Sequence, residues 1–294
     1  MRKFAKLFSA VAIVMMFAVA LVGCAGGGGG AEDQAAGQKG KVTLGYVQWD
    51  SEIASTHVVK EVLESKLGYE VEAVAVDAAP MWAGIAKGQF DAIVSAWLPG
   101  THADYYAKVK DDVENLGPNL EGAKIGLVVP SYVEINSIEE LNSVKDKFDG
   151  QIVGIEPGAG IMKATEKAIK EYGLDFELVD SSSAAMAASL KKAIDDQQWI
   201  AVTGWTPHWK FAKFDLKYLE DPKGVYGGKE HIATIVRKGL KEDNEELYKF
   251  LDSFKWTPED MQAVMLKIEE GMSPEKAAKE WVESNSDKVE KWLP

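Results

Sequence analysis

The chain has 294 residues, with 33 Lys and Arg against 46 Asp and Glu and a formal net charge of −13. That balance argues against nucleic acid, or an anionic lipid surface gripped through basic patches, as a partner. Cys24 is the single cysteine, so no intramolecular disulfide can form.

Residues 1–23 read as a lipoprotein signal peptide. Arg2, Lys3 and Lys6 supply the basic start, and the apolar run 11–22 is short for a membrane span. Leu21-Val22-Gly23-Cys24 is a lipobox, which makes Cys24 the acylated N-terminus of the mature protein. Two or three acyl chains would anchor it stably to the outer face of the cell membrane. Residues 24–40, with five consecutive glycines followed by Ala, Gln and Glu, cannot build a core and read as a flexible tether. Without the signal region, 30 basic residues face 46 acidic ones, a net of about −16.

An internal repeat follows. The first copy predicts strand 42–47, helix 55–66, strand 69–76, helix 81–87 and strand 92–95, ending in Trp97-Leu98-Pro99. The second predicts strand 151–155, helix 161–172, strand 176–179, helix 185–193 and strand 199–203, ending in Trp205-Thr206-Pro207. Strands alternating with helices imply parallel sheets. The expected organisation is one lobe from residues 41–129 and 230–294 and a second from 130–229. Toward the C-terminus, Thr257 before Pro258 and Ser273 before Pro274 read as helix caps. This helical tail is expected to return to the first lobe.

Trp49, Trp97 and Trp205 each fall where an apolar strand gives way to a loop. Open α/β sheets bind ligands at that carboxyl edge. Converging indoles there can wall in a cation that has no proton to donate. Packing against the next helix accounts for one strand-end Trp, but less readily for three at equivalent positions. Trp82 reads as packing onto the sheet, and Trp199 as the start of a buried strand.

The turn Gly154-Ile155-Glu156-Pro157-Gly158-Ala159-Gly160 runs from strand into helix. The helix start is a ready anion site, although a tight turn alone would also call for the glycines. His102, just past Pro99-Gly100, is either a plain loop residue or a donor to an anionic ligand end, and His208 holds the equivalent place. Asp50 and Glu52 are accounted for as acidic residues ahead of the first helix. Ser181 to Ser183 read as the cap of the helix that follows. There is no nucleophile elbow, no H-E-x-x-H and no Cys nucleophile besides Cys24, so no catalytic residue, metal or cofactor is expected.

Four segments together resemble the glycine betaine-binding lipoproteins of ABC importers. They are Tyr46-Val47-Gln48-Trp49-Asp50-Ser51-Glu52, Ser95-Ala96-Trp97-Leu98-Pro99-Gly100-Thr101-His102, Pro157-Gly158-Ala159-Gly160-Ile161-Met162 and Thr203-Gly204-Trp205-Thr206-Pro207-His208-Trp209. The resemblance runs from about Lys41 to the C-terminus. It implies a bilobed α/β fold of the type II periplasmic-binding-protein kind, with the ligand in the cleft between two similar lobes. It further implies a trimethylammonium cage of Trp49, Trp97 and Trp205, and a carboxylate held by the Gly160 and Ile161 N–H groups and by His102. The implied partners are a betaine, an ABC permease and its ATPase. Some members carry the P-G-x-G-I-M half first, whereas here the Trp49 half leads. The alternatives are a choline or carnitine binder, a sensory receptor, or an extracytoplasmic enzyme acting on quaternary amines.

Overall fold

The computed structural model describes residues 39–294. The signal peptide, Cys24 and most of the tether lie outside the described residues. Strand β1 already begins at Lys39, inside the segment read as tether.

The first repeat runs β1 (Lys39–Tyr46), α1 (Asp50–Ser65), β2 (Tyr69–Ala75), α2 (Ala78–Ala86), β3 (Ala92–Leu98) and α3 (Ala103–Val109). A long strand β4 (Val113–Pro130) and a 3-10 helix (Ile138–Phe148) lead into the second. That repeat runs β5 (Gln151–Val153), α4 (Gly160–Tyr172), β6 (Glu177–Val179), α5 (Ser183–Asp195), β7 (Val202–Thr206), α6 (Lys210–Lys213) and β8 (Leu216–Tyr218). Strand β9 (Glu230–Arg237) and helices α7 (Leu240–Asp243), α8 (Glu245–Ser253), α9 (Pro258–Glu269) and α10 (Pro274–Ser284) follow.

The strand order is β2-β1-β3-β9-β4-β7-β5-β6, with β8 also paired to β4. Within it β2-β1-β3 and β6-β5-β7 are the same parallel triplet built twice, as the repeat predicts. The antiparallel strands β9 and β4 stand between them. β4 pairs with β9 from Val113 to Ala123 and with β7 from Lys124 to Val128, so a single strand joins the two halves of the sheet. Sequence patterning foresaw neither β4 nor β9.

Local chemistry sets the helix ends. Ser182 caps α5 by accepting the Ala185 N–H, and Thr257 with Asp260 forms a capping box on α9. Both α9 and α10 pack on α1, so the helical tail does return to the first repeat. Strand β3 is buried along its whole length, which places its C-terminal end, and Trp97 with it, deep between the repeats.

Candidate functional site

One cavity gathers all six residues singled out from the sequence: Trp49, Trp97, Trp205, His102, Gly160 and Ile161. Trp97 and Trp205 are the penultimate residues of β3 and β7, and Trp49 precedes α1. All three indoles are buried, and each N–H is engaged by the protein. Trp49 Nε1 donates to Glu156 Oε2 at 2.9 Å, Trp97 Nε1 to Glu52 Oε1 at 2.6 Å, and Trp205 Nε1 to Ser51 Oγ at 3.2 Å. What these rings have left to offer the cavity is aromatic carbon, whose faces attract a cation. Two of the three bonds cross between the repeats, so Trp49 and Trp205 are each held by a residue of the opposite repeat.

Glu52 stands behind this aromatic end and itself lines the cavity. Its carboxyl accepts from Trp97 and from Ser51 Oγ at 2.6 Å, and burial pushes its pKa up to about 7. A cation in the cage favours the ionised form. Asp50 and Glu52 do not lie ahead of the helix, since α1 starts at Asp50; the buried Glu52 accepts from the cavity indole Trp97, and the half-buried Asp50 from Trp209, which lies outside the cavity lining.

The other end of the cavity offers donors. His102 is fully buried, and its Nδ1 accepts the Trp97 backbone N–H at 3.1 Å. A backbone N–H can only donate, so Nδ1 is unprotonated and the proton sits on Nε2. Burial, then nearby Lys163, lowers the His102 pKa to about 3, so the ring is neutral. Among the described residues Nε2 has no hydrogen-bond partner, although a buried donor left unpaired is costly. The ring is held by Trp82, edge-on at 5.7 Å between centroids, and by Tyr105 at 6.2 Å. Trp82 therefore does more than pack on the sheet: it backs the histidine.

Glu230, at the start of β9, fixes the loop that carries His102. Its Oε1 accepts the Gly100 and Thr101 N–H groups at 2.8 and 2.6 Å, and its Oε2 accepts Thr101 Oγ1 at 2.5 Å. Across the cavity Gly160 and Ile161 open α4, where the N–H groups have no carbonyl one turn earlier to take them. No acidic side chain occupies that first turn, so the positive helix end remains available to an anion. Only glycine fits at 160, since a Cβ there would lie 2.1 Å from the Thr101 carbonyl oxygen.

His208 does not line this cavity. Its Nδ1 accepts the Lys210 N–H at 3.2 Å, and its Nε2 lies 3.4 Å from Asp50 Oδ2. Asp50 also accepts from Trp209 Nε1 and Ser183 Oγ, each at 2.8 Å. Burial alone would raise the Asp50 pKa, but the donors His208, Trp209 and Ser183 outweigh it and hold the carboxyl well below the usual range. Ser183 thus joins the first repeat to the second, while Ser182 alone caps α5. Trp199 precedes β7 instead of starting it, and is half-buried against Phe148 and Lys147.

Sequence reasoning did not assign Ser51, Glu52, Thr101, Ile125 and Ile155 to the cavity. The first three lie beside Trp49 and His102 in the motifs, which was the available signal. Ile125 comes from β4, which carried none. Among the described residues no group of three or more His, Cys, Asp or Glu could hold a metal, and no helix is long and apolar enough to cross a membrane.

Two parallel triplets facing a cavity at their carboxyl edges define a substrate-binding protein of the periplasmic-binding-protein class. A lactococcal OpuAC structure, closed and complexed with glycine betaine, is 50% identical with a TM-score of 0.84, covering 87% of this chain and all of that one. The glycine betaine/L-proline-binding protein ProX from Borrelia burgdorferi is 41% identical with a TM-score of 0.83, covering 86% and 97% of the two chains. The glycine betaine/carnitine transport binding protein GbuC of Listeria monocytogenes is 59% identical over 150 residues, which is 50% of this chain and 50% of the relative. The match thus spans only half the length of that curated relative. The model for the substrate-binding domain of ABC-type glycine betaine transport systems matches residues 40–284, and the chain belongs to that family.

Proposed function

We propose that this protein captures glycine betaine, and betaines of similar shape, for an ABC importer. The observation that carries this reading is the two-ended cavity. Three indoles with committed N–H groups and the Glu52 carboxyl occupy one end, and the free Nε2–H of His102 and the Gly160 and Ile161 N–H groups occupy the other. A quaternary ammonium has no N–H, so aromatic faces and a nearby carboxylate are what can hold it. The ligand carboxylate satisfies donors that otherwise stay buried without partners. Choline fills the cage and leaves those donors unpaired, so a betaine is favoured. Carnitine, part of the Listeria relative's name, has both end groups on a longer frame.

In this reading residues 41–129 and 230–294 form one lobe and 130–229 the other, with β4 and β9 passing between them. The ligand touches Trp49, Trp97 and His102 on one side and Trp205, Gly160 and Ile161 on the other, so it favours closure, which a permease and its ATPase then recognise. Cys24 carries the lipid that tethers the protein to the extracytoplasmic face of the membrane. In this reading the site binds without turnover: Glu52 is the lining group that titrates near neutrality, and a quaternary ammonium has no N–H proton for it to take.

Calorimetric titration with glycine betaine, proline betaine, carnitine, choline and proline tests the assignment. Glycine betaine should bind more tightly than choline, and proline weakly. Choline binding as tightly as glycine betaine would contradict the carboxylate site.

A further inference from the structure

Lys210 is fully buried, and its side-chain nitrogen has no hydrogen-bond partner among the described residues. Its Nζ lies 4.3 Å from the centroid of the Trp205 ring. Trp205 lines the ligand cavity and Lys210 does not, so the lysine approaches the indole from outside the cavity. The wall that meets the trimethylammonium group is therefore backed by a second potential cation.

We propose that Lys210 is an affinity-determining residue that links ligand capture to protons: the neutral amine permits tight binding, and a proton on Nζ opposes the cation at the same ring. Two positive charges would then draw on one π system and repel each other through a poorly screened interior. By reciprocity, the bound cation expels the proton from Nζ.

The surroundings allow the lysine to titrate. Burial pulls its pKa down to about 7, and Asp50, at the start of α1, acts in the other direction. His208, in the loop before α6, is neutral, with a pKa lowered to about 4 by burial and by Lys210 itself. On its own helix, Lys213 is committed to Glu269 at 2.8 Å. Glu52 lines the same cavity as Trp205, and its ionisation also responds to a bound cation. Glycine betaine has no group that titrates near neutrality, because free carboxyls do so below about pH 4. This inference rests on the betaine reading.

The test is calorimetry with glycine betaine between pH 5.5 and 9 on the wild type and Lys210→Met, repeated in buffers of different ionisation enthalpy to count protons. Wild-type affinity should weaken by about tenfold as pH falls through neutrality. Lys210→Met should flatten that fall and release fewer protons on binding. Glu52 contributes to both proteins, so the difference between them isolates Lys210. Equal pH dependence and equal proton counts would overturn the proposal. If the variant does not fold, a wild type that binds near neutrality without releasing protons overturns it alone. A wild type that binds no betaine at any pH would instead sink the functional reading, and this inference with it.

Discussion

The loops after β3 and after β7 occupy equivalent places in two copies of one topology, and each carries a fully buried, neutral histidine. In both, Nδ1 accepts a backbone N–H, which puts the proton on Nε2. The loops part at what that proton meets. Among the described residues neither Nε2 makes a hydrogen bond, but His208 Nε2 lies 3.4 Å from the ionised Asp50 of the opposite repeat, whereas His102 Nε2 faces the cavity with no carboxylate beside it. The same tautomer lock thus serves two ends: one histidine helps latch the repeats together, and the other is left for a ligand. A donor that opens on the cavity with no carboxylate beside it, more than the histidine itself, marks the functional copy.

Removing a cage wall should have the largest effect. Trp49→Ala, Trp97→Ala and Trp205→Ala should each weaken glycine betaine by roughly thirtyfold or more, since a desolvated cation–π contact is worth about 2 kcal/mol or more. Phe at these positions should keep part of the binding while losing the indole hydrogen bond. Unchanged affinity on loss of two of the three rings would rule out the cage.

The histidines come next, and they separate the two loops. His102→Ala should weaken glycine betaine by tenfold to over a hundredfold, the range for about 1.5–3 kcal/mol in a hydrogen bond to a charged group, and choline much less. Asp50→Asn, which loosens the latch, should weaken both ligands by the same smaller factor, up to about tenfold for one weakened contact. A ligand-selective Asp50→Asn, or an unselective His102→Ala, would merge the two roles.

The smallest effect concerns Glu52. Its carboxyl titrates near 7 in the fold against an ordinary value of 4.5, so its contribution to the stability of the unliganded protein is greatest below the ordinary value and is lost as pH rises through about 7. Scanning calorimetry across pH 4–8 should show a steeper fall in Tm for the wild type than for Glu52→Gln. Parallel curves would place Glu52 outside the titrating set.

Much of this was legible in residue patterns because the strands of each parallel triplet are short apolar runs bounded by turn residues, and because the Trp and Gly motifs sit at strand ends. The long strand β4 escaped because Pro118 and the glycines at 117 and 122 break its apolar pattern, which its register shifts accommodate. Asp50, Glu52 and Lys210 escaped for another reason. Asp50 and Glu52 read as acidic residues at a helix start and Lys210 carries no motif, until the fold sets indoles against them: Trp209 of the other repeat against Asp50, Trp97 against Glu52 and Trp205 against Lys210. His102 and His208 look alike in sequence, and the Asp50 carboxylate beside one and the cavity beside the other tell them apart.

A structure of the complex with glycine betaine is the most direct test of the central claim. The trimethylammonium group should lie between Trp49, Trp97 and Trp205, with the carboxylate within hydrogen-bond distance of His102 Nε2 and of the Gly160 and Ile161 N–H groups. A carboxylate turned away from His102, or a ligand bound with its ammonium outside the three indoles, would contradict it.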